Sequence, residues 1–286
     1  MKVFLNNNLV PEEDASVSVY DHGFLYGDGV YETMRAYEGV VFKLDEHVSR
    51  LNQSALFIQL TIPEKQFMRD AVYQTLSANK LSDAYIRVTV SRGKGPIGLD
   101  PALCKHPTFI IIAKEFKGYP EARYQEGVKA ILAKTRKNLS EALNPQIKSL
   151  NFLNNILATI EAKEQGADEA IMLNAHGFIA EGTVSNIFFV SDDTLCTPSL
   201  DAGILNGITR ETVISIAQRA DITVREGMFP PGDLLNAQEV FYTNTSSEIL
   251  PISRIDHTTY GIGNMTRQLR KLYKKEVADY IRKNKK

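Results

Sequence analysis

Apolar and polar positions follow two periods in the first 116 residues, one typical of strands and one typical of helices. Apolar side chains recur at helical spacing over residues 44–58, and Asp45 suits the start of that helix. A second helix is predicted over residues 63–76. Short β-branched runs predict strands, at residues 3–5, 31–37, 40–42, 85–90 and 108–113. This part of the chain is therefore predicted to combine a sheet with two helices.

A second pattern of strands and helices follows residues 117–123, where Gly, Pro and charged residues are typical of a domain linker. Apolar runs beyond it predict strands, at residues 128–133, 169–173, 178–180, 186–190 and 239–243. Helical spacing recurs at residues 150–163, 208–220 and 266–281. We therefore predict an α+β fold with two domains, residues 1–117 and residues 127–286, and a linker at residues 118–126.

The composition is that of a globular protein and narrows the classes of partner. Of the 286 residues, 43% are hydrophobic and 23% are charged, and the formal net charge is -1. Because the chain has no overall positive charge, we expect no nucleic-acid partner. The two cysteines and five histidines show no metal-ligand spacing, so no metal site is expected. No apolar run approaches the ~20 residues that cross a bilayer, so we expect no membrane partner and a cytoplasmic protein.

One glycine-rich segment imitates a dinucleotide-binding motif. Residues 93–98 match G-x-G-x-x-G after a predicted strand. That motif binds a pyrophosphate only where a helix begins at its third glycine. Pro96 lies inside the match and no helical period follows it, so the segment is interpreted as a hairpin loop.

Lys148 is the candidate for covalent chemistry. It precedes the helix predicted at residues 150–163, where its ammonium would face the positive end of the helix dipole. Burial would also disfavour the charged amine. Both effects would lower the pKa of Lys148, as a lysine needs when it forms a Schiff base at neutral pH. A solvated surface lysine is the alternative interpretation.

The helix predicted at residues 208–220 begins with a candidate phosphate site. Gly207 permits close approach of the backbone, and the N–H groups of Ile208 and Thr209 would point at an anion together with the Thr209 hydroxyl. The alternative is a helix that is simply capped by Asn206 and binds nothing.

Three more side chains could contribute to the same chemistry. Glu181, just after the strand predicted at residues 178–180, could be a salt-bridge partner or the anion that keeps a pyridine nitrogen protonated. Arg50, on the first predicted helix, could bind phosphate. Thr245 offers a hydroxyl group just after the strand predicted at residues 239–243. None of these residues is specific by itself.

In combination, these segments resemble the class IV pyridoxal-phosphate enzymes. That family comprises branched-chain aminotransferases, D-amino-acid aminotransferases and aminodeoxychorismate lyases. The matching segments occur in family order over residues 3–262. They are residues 26–32 (YGDGVYE), 147–155 (IKSLNFLNN), 181–188 (EGTVSNIF), 203–210 (GILNGITR) and 243–248 (TNTSSE).

The resemblance implies a two-domain fold with pyridoxal 5'-phosphate in the cleft between the domains, in a homodimer whose partner completes the site. It implies that Lys148, in the second predicted domain, forms the Schiff base and moves a proton to and from the substrate. Glu181 would pair with the pyridinium nitrogen. The other implied cofactor contacts are Arg50, Ile208, Thr209 and Thr245 on the phosphate, Gly207 beside it, and Leu205 on the ring face.

The expected substrate follows mainly from Arg87. Residues 84–87 (AYIR) are similar to branched-chain enzymes in which the matching arginine receives a substrate carboxylate, such as that of glutamate. We therefore expect a branched-chain amino acid aminotransferase that uses 2-oxoglutarate as acceptor. The residues expected at the substrate are Tyr26, Tyr31, Arg35, Arg87 and Ser246.

Three positions depart from the branched-chain pattern. Thr33 replaces a usual glycine, Phe152 replaces a common tyrosine and Val88 replaces a common proline. An aminodeoxychorismate lyase and a D-amino-acid or (R)-amine aminotransferase therefore stay open as alternatives. A ligand-binding protein without activity is disfavoured because Lys148 and Glu181 are both present.

Overall fold

The structure, a computed structural model, describes residues 1–285 and divides them into two compact units. The first unit contains Met1–Lys117, Ile147–Asn151 and residues 280–285. The second contains Gly118–Gln146 and Phe152–Asp279. Within residues 1–285, no helix has the length and apolar character that crossing a membrane requires.

A six-stranded antiparallel sheet forms the centre of the first unit, in the order β2-β1-β6-β5-β3-β4. Its strands are β1 (Lys2–Leu5), β2 (Asn8–Pro11), β3 (Gly29–Tyr37), β4 (Val40–Val41), β5 (Ala84–Ser91) and β6 (Thr108–Glu115). The helices of this unit are α1 (His22–Tyr26), α2 (Leu44–Phe57) and α3 (Lys65–Ala78).

The two faces of this sheet differ in character because successive side chains of a strand point to opposite sides. Val30 and Met34 of β3 lie on the face that packs against apolar side chains of α2 and α3. Tyr31 and Thr33 alternate with them, and in the antiparallel register Thr33 lies opposite Arg87 of β5. The second face of β3 and β5 therefore carries polar and aromatic side chains.

The second unit contains a nine-stranded mixed sheet. Eight strands follow the order β12-β11-β10-β13-β14-β7-β8-β9, and β15 pairs with β14. The strands are β7 (Val128–Leu132), β8 (Glu169–Leu173), β9 (Ile179–Gly182), β10 (Asn186–Ser191), β11 (Thr194–Pro198), β12 (Val224–Gly227), β13 (Glu239–Asn244), β14 (Glu248–Ile255) and β15 (Thr258–Thr259). Its helices are α4 (Glu121–Glu126), α5 (Leu153–Glu164), α6 (Ile208–Arg219), α7 (Pro231–Leu235) and α8 (Asn264–Asn284), the last of which ends in residues of the first unit.

The predicted elements reappear with small shifts of their ends, and the α+β class is confirmed. The glycine-rich segment at residues 93–98 lies in the connection between β5 and β6, with no α-helix following it. The strands that the sequence did not predict include β2, β11, β12 and β14. In β14, Pro251 and Arg254 interrupt the apolar pattern.

The domain boundaries differ from the prediction at two places besides the chain end. Residues 118–126 are not a free linker, because α4 lies there and Tyr124 is buried in the core of the second unit. Residues 147–151, predicted in the second domain, group with the first unit. The reason is backbone pairing, since Val30 and Ser149 form an isolated β-bridge.

Candidate functional site

Lys148 is held by its backbone against the first unit. Its carbonyl oxygen accepts a hydrogen bond from the Tyr31 N–H at 3.0 Å, and its own N–H donates to Ser54 Oγ at 3.0 Å. The predicted position of Lys148 at a helix N-terminus is wrong, because α5 begins only at Leu153. Lys148 is therefore fixed by hydrogen bonds to Tyr31 of β3 and Ser54 of α2, and not by a place at the start of α5.

The Lys148 side chain lies on the ring of Tyr31, which also carries Arg87. Lys148 Nζ is 4.5 Å from the ring centroid and the guanidinium carbon of Arg87 is 4.0 Å from it. The separation of these two cationic atoms is therefore no more than the sum of the two distances, 8.5 Å. Burial raises the pKa of Tyr31 well above its ordinary value, so the phenol stays protonated at neutral pH.

Arg50 is tied to a buried carboxylate. Its Nε and Nη2 donate to the two oxygens of Glu32 at 2.7 and 2.8 Å. His47 Nδ1 lies 2.7 Å from Oε2 of Glu32. Glu32 is on the core face of β3, and the two partners are three residues apart on α2, so that both face the sheet.

Two more of the predicted substrate residues, Arg35 and Tyr26, contact other groups of the first unit. Arg35 is four residues from Tyr31 along β3, about 13 Å at the usual rise of a strand. Its guanidinium rests on the ring of Tyr37 at 4.3 Å. The Tyr26 hydroxyl accepts a hydrogen bond from the Gly98 N–H at 3.1 Å. The structure thus brings together Lys148, Tyr31 and Arg87, and Arg35 lies further along β3 beside Tyr37.

Glu181 is part of β9, one residue inside the strand rather than after it, and is buried. Its Oε1 forms an ion pair with Lys137 Nζ at 2.6 Å. Its Oε2 accepts hydrogen bonds from the Leu205 N–H at 3.0 Å and from Asn186 Nδ2 at 3.4 Å. Leu205 therefore contacts the carboxylate through its backbone.

Asn186 links Glu181 to the start of α6. Its Nδ2 also donates to the Leu205 carbonyl oxygen at 2.9 Å. Its Oδ1 packs so closely on Gly207 that a Cβ at that position would lie 2.0 Å from it. Gly207 is the N-cap of α6, and no side chain caps the helix there. The first N–H groups of α6, on Ile208 and Thr209, have no partner within the helix.

Thr245 and Ser246 form a turn next to these residues. Asn186 lies opposite Thr243 in the antiparallel register of β10 and β13, so the turn begins just past that pair. The Asn244 side chain shapes the turn, because its Oδ1 accepts hydrogen bonds from the N–H groups of Ser246 at 3.0 Å and Ser247 at 2.7 Å. The second unit therefore gathers Glu181, the start of α6 and this turn around Asn186.

Comparison with known proteins identifies the family. The family model of amino-transferase class IV matches residues 29–255. The chain belongs to the class IV aminotransferases. A relative from Methanocaldococcus jannaschii, provisionally named as a branched-chain-amino-acid aminotransferase, is 45% identical over 96% of both chains. The crystal structure of a branched-chain aminotransferase from Thermoproteus uzoniensis with norvaline matches with a TM-score of 0.91 and 39% identity, over 96% of this chain and 94% of that one.

Relatives with other named activities are also similar to this class IV aminotransferase. The D-alanine aminotransferase of Bacillus licheniformis is 35% identical over 92% of this chain and 91% of its own length. The aminodeoxychorismate lyase of Bacillus subtilis is 34% identical over 98% of this chain and 96% of its own length. Family membership thus establishes a transaminase that uses pyridoxal 5'-phosphate, without selecting the substrate.

The described residues fit this cofactor. A carboxylate has about four acceptor positions, and Glu181 receives three donors, which leaves one for a ring N–H. The start of α6 presents backbone N–H groups that no side chain caps, as an anion site requires. Lys148 supplies a primary amine on a buried aromatic ring. Among residues 1–285, no group of three or more His, Cys, Asp and Glu side chains could hold a metal ion.

Four residues that contact these side chains, two in each unit, are not indicated as functional by the sequence analysis. Lys137 lies in a polar loop that has no periodic pattern, and His47 falls on the mainly apolar buried stripe of α2. Asn186 and Glu32 lie within matched segments but carried no assigned role. The sequence does contain one signal for Glu32 and His47. Each is a polar residue at a position where the strand or helix period calls for an apolar one.

Proposed function

We propose that this class IV aminotransferase acts on branched-chain amino acids and uses 2-oxoglutarate as amino acceptor. The observation that carries the proposal is the shared ring of Tyr31, with Lys148 Nζ and the Arg87 guanidinium on it. Such an arrangement places a carboxylate-binding group beside an amine, next to apolar surface. Two relatives that are named as branched-chain aminotransferases, at 45% and 39% identity, support it.

Lys148 would act as the residue that attacks the cofactor and moves the substrate proton. When bound, pyridoxal 5'-phosphate supplies an aldehyde carbon and a ring that accepts electrons from the substrate α-carbon. The Lys148 amine would take the proton from that carbon in the first half-reaction. In the second half-reaction it would give a proton to the α-carbon of the acceptor. Tyr31 would keep this amine in place and shield it from water.

The other predicted residues would bind and orient. Glu181 would accept a hydrogen bond from the protonated pyridine nitrogen, and Lys137 would hold the Glu181 carboxylate in place. The N–H groups of Ile208 and Thr209 would bind the phosphate. Further contacts proposed from the resemblance are Arg50 and Thr245 on the phosphate, Leu205 on the ring face, and Tyr26, Arg35 and Ser246 at the substrate.

We also propose that the enzyme is a homodimer. Four apolar side chains of α5 recur at helical spacing and are between 47% and 69% exposed: Leu153, Ile156, Leu157 and Ile160. A contiguous apolar stripe of this kind on a surface helix is typical of a protein interface. A second copy of the chain can cover it with its own α5, because a two-fold contact uses the same patch twice. Ile156→Glu should shift the mass measured by light scattering toward a monomer.

The cofactor role is tested through Lys148. Purified protein should be yellow, and borohydride reduction should fix the cofactor to a peptide that contains Lys148. Lys148→Ala should retain phosphate-dependent cofactor binding and lose turnover. A colourless protein that takes up no cofactor, or undiminished turnover of the variant, would contradict the assignment.

The aminodeoxychorismate lyase and the D-amino-acid or (R)-amine aminotransferase stay as alternative functions. The reason is the position of Thr33, which lies opposite Arg87 on the neighbouring strand. Its Oγ1 lies 3.5 Å from the Tyr85 hydroxyl. The Thr33 side chain therefore reduces the space for a substrate on the sheet face that carries Arg87. A panel of L-leucine, L-glutamate, D-alanine, an (R)-amine and aminodeoxychorismate separates the activities. Oxo-acid formation from L-leucine with 2-oxoglutarate supports the proposal, and activity confined to D-alanine or aminodeoxychorismate overturns it.

A further inference from the structure

Glu32 is the most deeply buried acidic side chain of the first unit. Its exposed fraction is 0%, and its neighbours along the core face of β3 are Val30 and Met34. Burying a charge is costly unless it is paired and hydrogen-bonded. Two side chains of α2 supply the pairing, and only one of them reaches solvent: the exposed fraction of the side chain is 12% for Arg50 and 2% for His47.

The protonation states of this trio follow from its surroundings. Burial alone would raise the pKa of Glu32, but the charge of Arg50 and the hydrogen bonds from Arg50 and His47 outweigh it and hold that pKa well below its ordinary value. Burial lowers the pKa of His47, against the attraction of Glu32. Neutral His47 must therefore carry its proton on Nδ1, because only a donor can lie 2.7 Å from a carboxylate oxygen.

We propose that Glu32 and His47 are positioning residues, which fix the Arg50 guanidinium in the orientation that contacts the cofactor phosphate. The inference rests on the proposed role of Arg50. Two of the three guanidinium nitrogens are bound to Glu32, and His47 holds the carboxylate oxygen that Nη2 uses. Arg50 is thus the most exposed of the three side chains in this buried hydrogen-bonded network.

The physical benefit is that the arginine is ordered before the phosphate arrives. A free arginine side chain loses substantial rotamer freedom when it is immobilised on a ligand. Here the bidentate contact to Glu32 has already removed that freedom. His47 takes no part in the reaction and acts only through Glu32 and Arg50.

The test compares cofactor with and without its phosphate. The dissociation constants of pyridoxal 5'-phosphate and of pyridoxal are measured on each apo variant, and their ratio reports the phosphate contact. We expect Arg50→Gln, Glu32→Gln and His47→Leu each to weaken pyridoxal 5'-phosphate binding about tenfold or more relative to pyridoxal, the range for a charge-assisted contact. Adding His47→Leu to Arg50→Gln should cause no further change in the ratio.

A conservative variant separates positioning from general destabilisation. The amide nitrogen of His47→Asn occupies the topological place of Nδ1 and can donate to Glu32, so this variant should recover most of the ratio that His47→Leu loses. His22→Leu removes another buried histidine of the same unit, bound to the Pro96 carbonyl oxygen, and should leave the ratio unchanged.

The outcomes distinguish two kinds of failure. If Arg50→Gln leaves the ratio unchanged, Arg50 does not bind the phosphate and the inference falls with that assignment. If Arg50→Gln lowers affinity for the phosphate form and His47→Leu does not, the role of Arg50 stands and the positioning role of His47 and Glu32 is wrong. Folding of every variant is checked by its thermal unfolding midpoint.

Discussion

Lys137 and Glu181 form a buried ion pair, with Lys137 Nζ 2.6 Å from Glu181 Oε1 and both side chains 8% exposed. The two residues are far apart in sequence and come from a loop and a strand of the same unit. Because burying a charge is costly unless it is paired, the Lys137 ammonium compensates the charge of the Glu181 carboxylate inside the protein.

Lys137→Met should destabilise the protein and reduce turnover. Removing one partner of a buried pair leaves an uncompensated charge, which costs about 3–5 kcal/mol of unfolding free energy. The Glu181 carboxylate would also lose the contact that fixes its Oε1 and would bind a ring N–H less well. Urea unfolding and steady-state kinetics measure the two effects. Lys134→Met, at an exposed lysine of the same loop, is the control and should change neither.

Gly207→Ala should disturb the start of α6. The new Cβ would lie 2.0 Å from Asn186 Oδ1, so Asn186 must move and its hydrogen bond to Leu205 is strained. We expect a loss of about 1–3 kcal/mol in stability and weaker binding of pyridoxal 5'-phosphate, measured by spectroscopic titration. Gly232→Ala is the matched control, because a Cβ there meets nothing within 4 Å. Equal behaviour of the two variants would contradict the close contact with Asn186.

Arg87→Gln should discriminate between acidic and apolar substrates. The guanidinium is proposed to bind the side-chain carboxylate of glutamate and 2-oxoglutarate, a contact worth about 1.5–3 kcal/mol. We therefore expect kcat/KM for L-glutamate to fall by about 10- to 100-fold, and that for L-leucine to fall much less. Half-reactions with each amino acid measure this separately. An equal loss for both substrates would show that Arg87 mainly supports Tyr31.

Glu161→Gln should lower stability in a pH-dependent way. Burial alone would raise the pKa of Glu161, but hydrogen bonds from the Thr135 hydroxyl and from the N–H groups of Lys134 and Thr135 hold it below its ordinary value of 4.5. The stabilisation is therefore present above about pH 4.5 and is lost as the pH falls through the lowered pKa. Urea unfolding at several pH values should show a gap between wild type and variant that closes in acid. A gap that is constant with pH would rule out ionisation as its cause.

Local patterns in the sequence predicted the elements that carry a clear period. The apolar stripe of α2 and the β-branched runs of β5 and β6 each specify one structure, because burial of one face needs that spacing. The start of α5 was predicted three residues too early, because Leu150 fits the apolar spacing although residues 147–151 pair with β3. Glu181 was placed after its strand for a similar reason, since a charged residue ends an apolar run.

The sequence by itself determined the fold class, the family and the cofactor, because its motifs occur in the order of the class IV aminotransferases over most of the chain. It also nominated Lys148, Glu181 and the start of α6. Only the tertiary structure revealed that Lys148 shares the ring of Tyr31 with Arg87, that Arg50 is bound to Glu32 and that Lys137 neutralises Glu181. These are contacts between residues distant in sequence, and their partners are chosen by the register of strands and the packing of helices rather than by any local period.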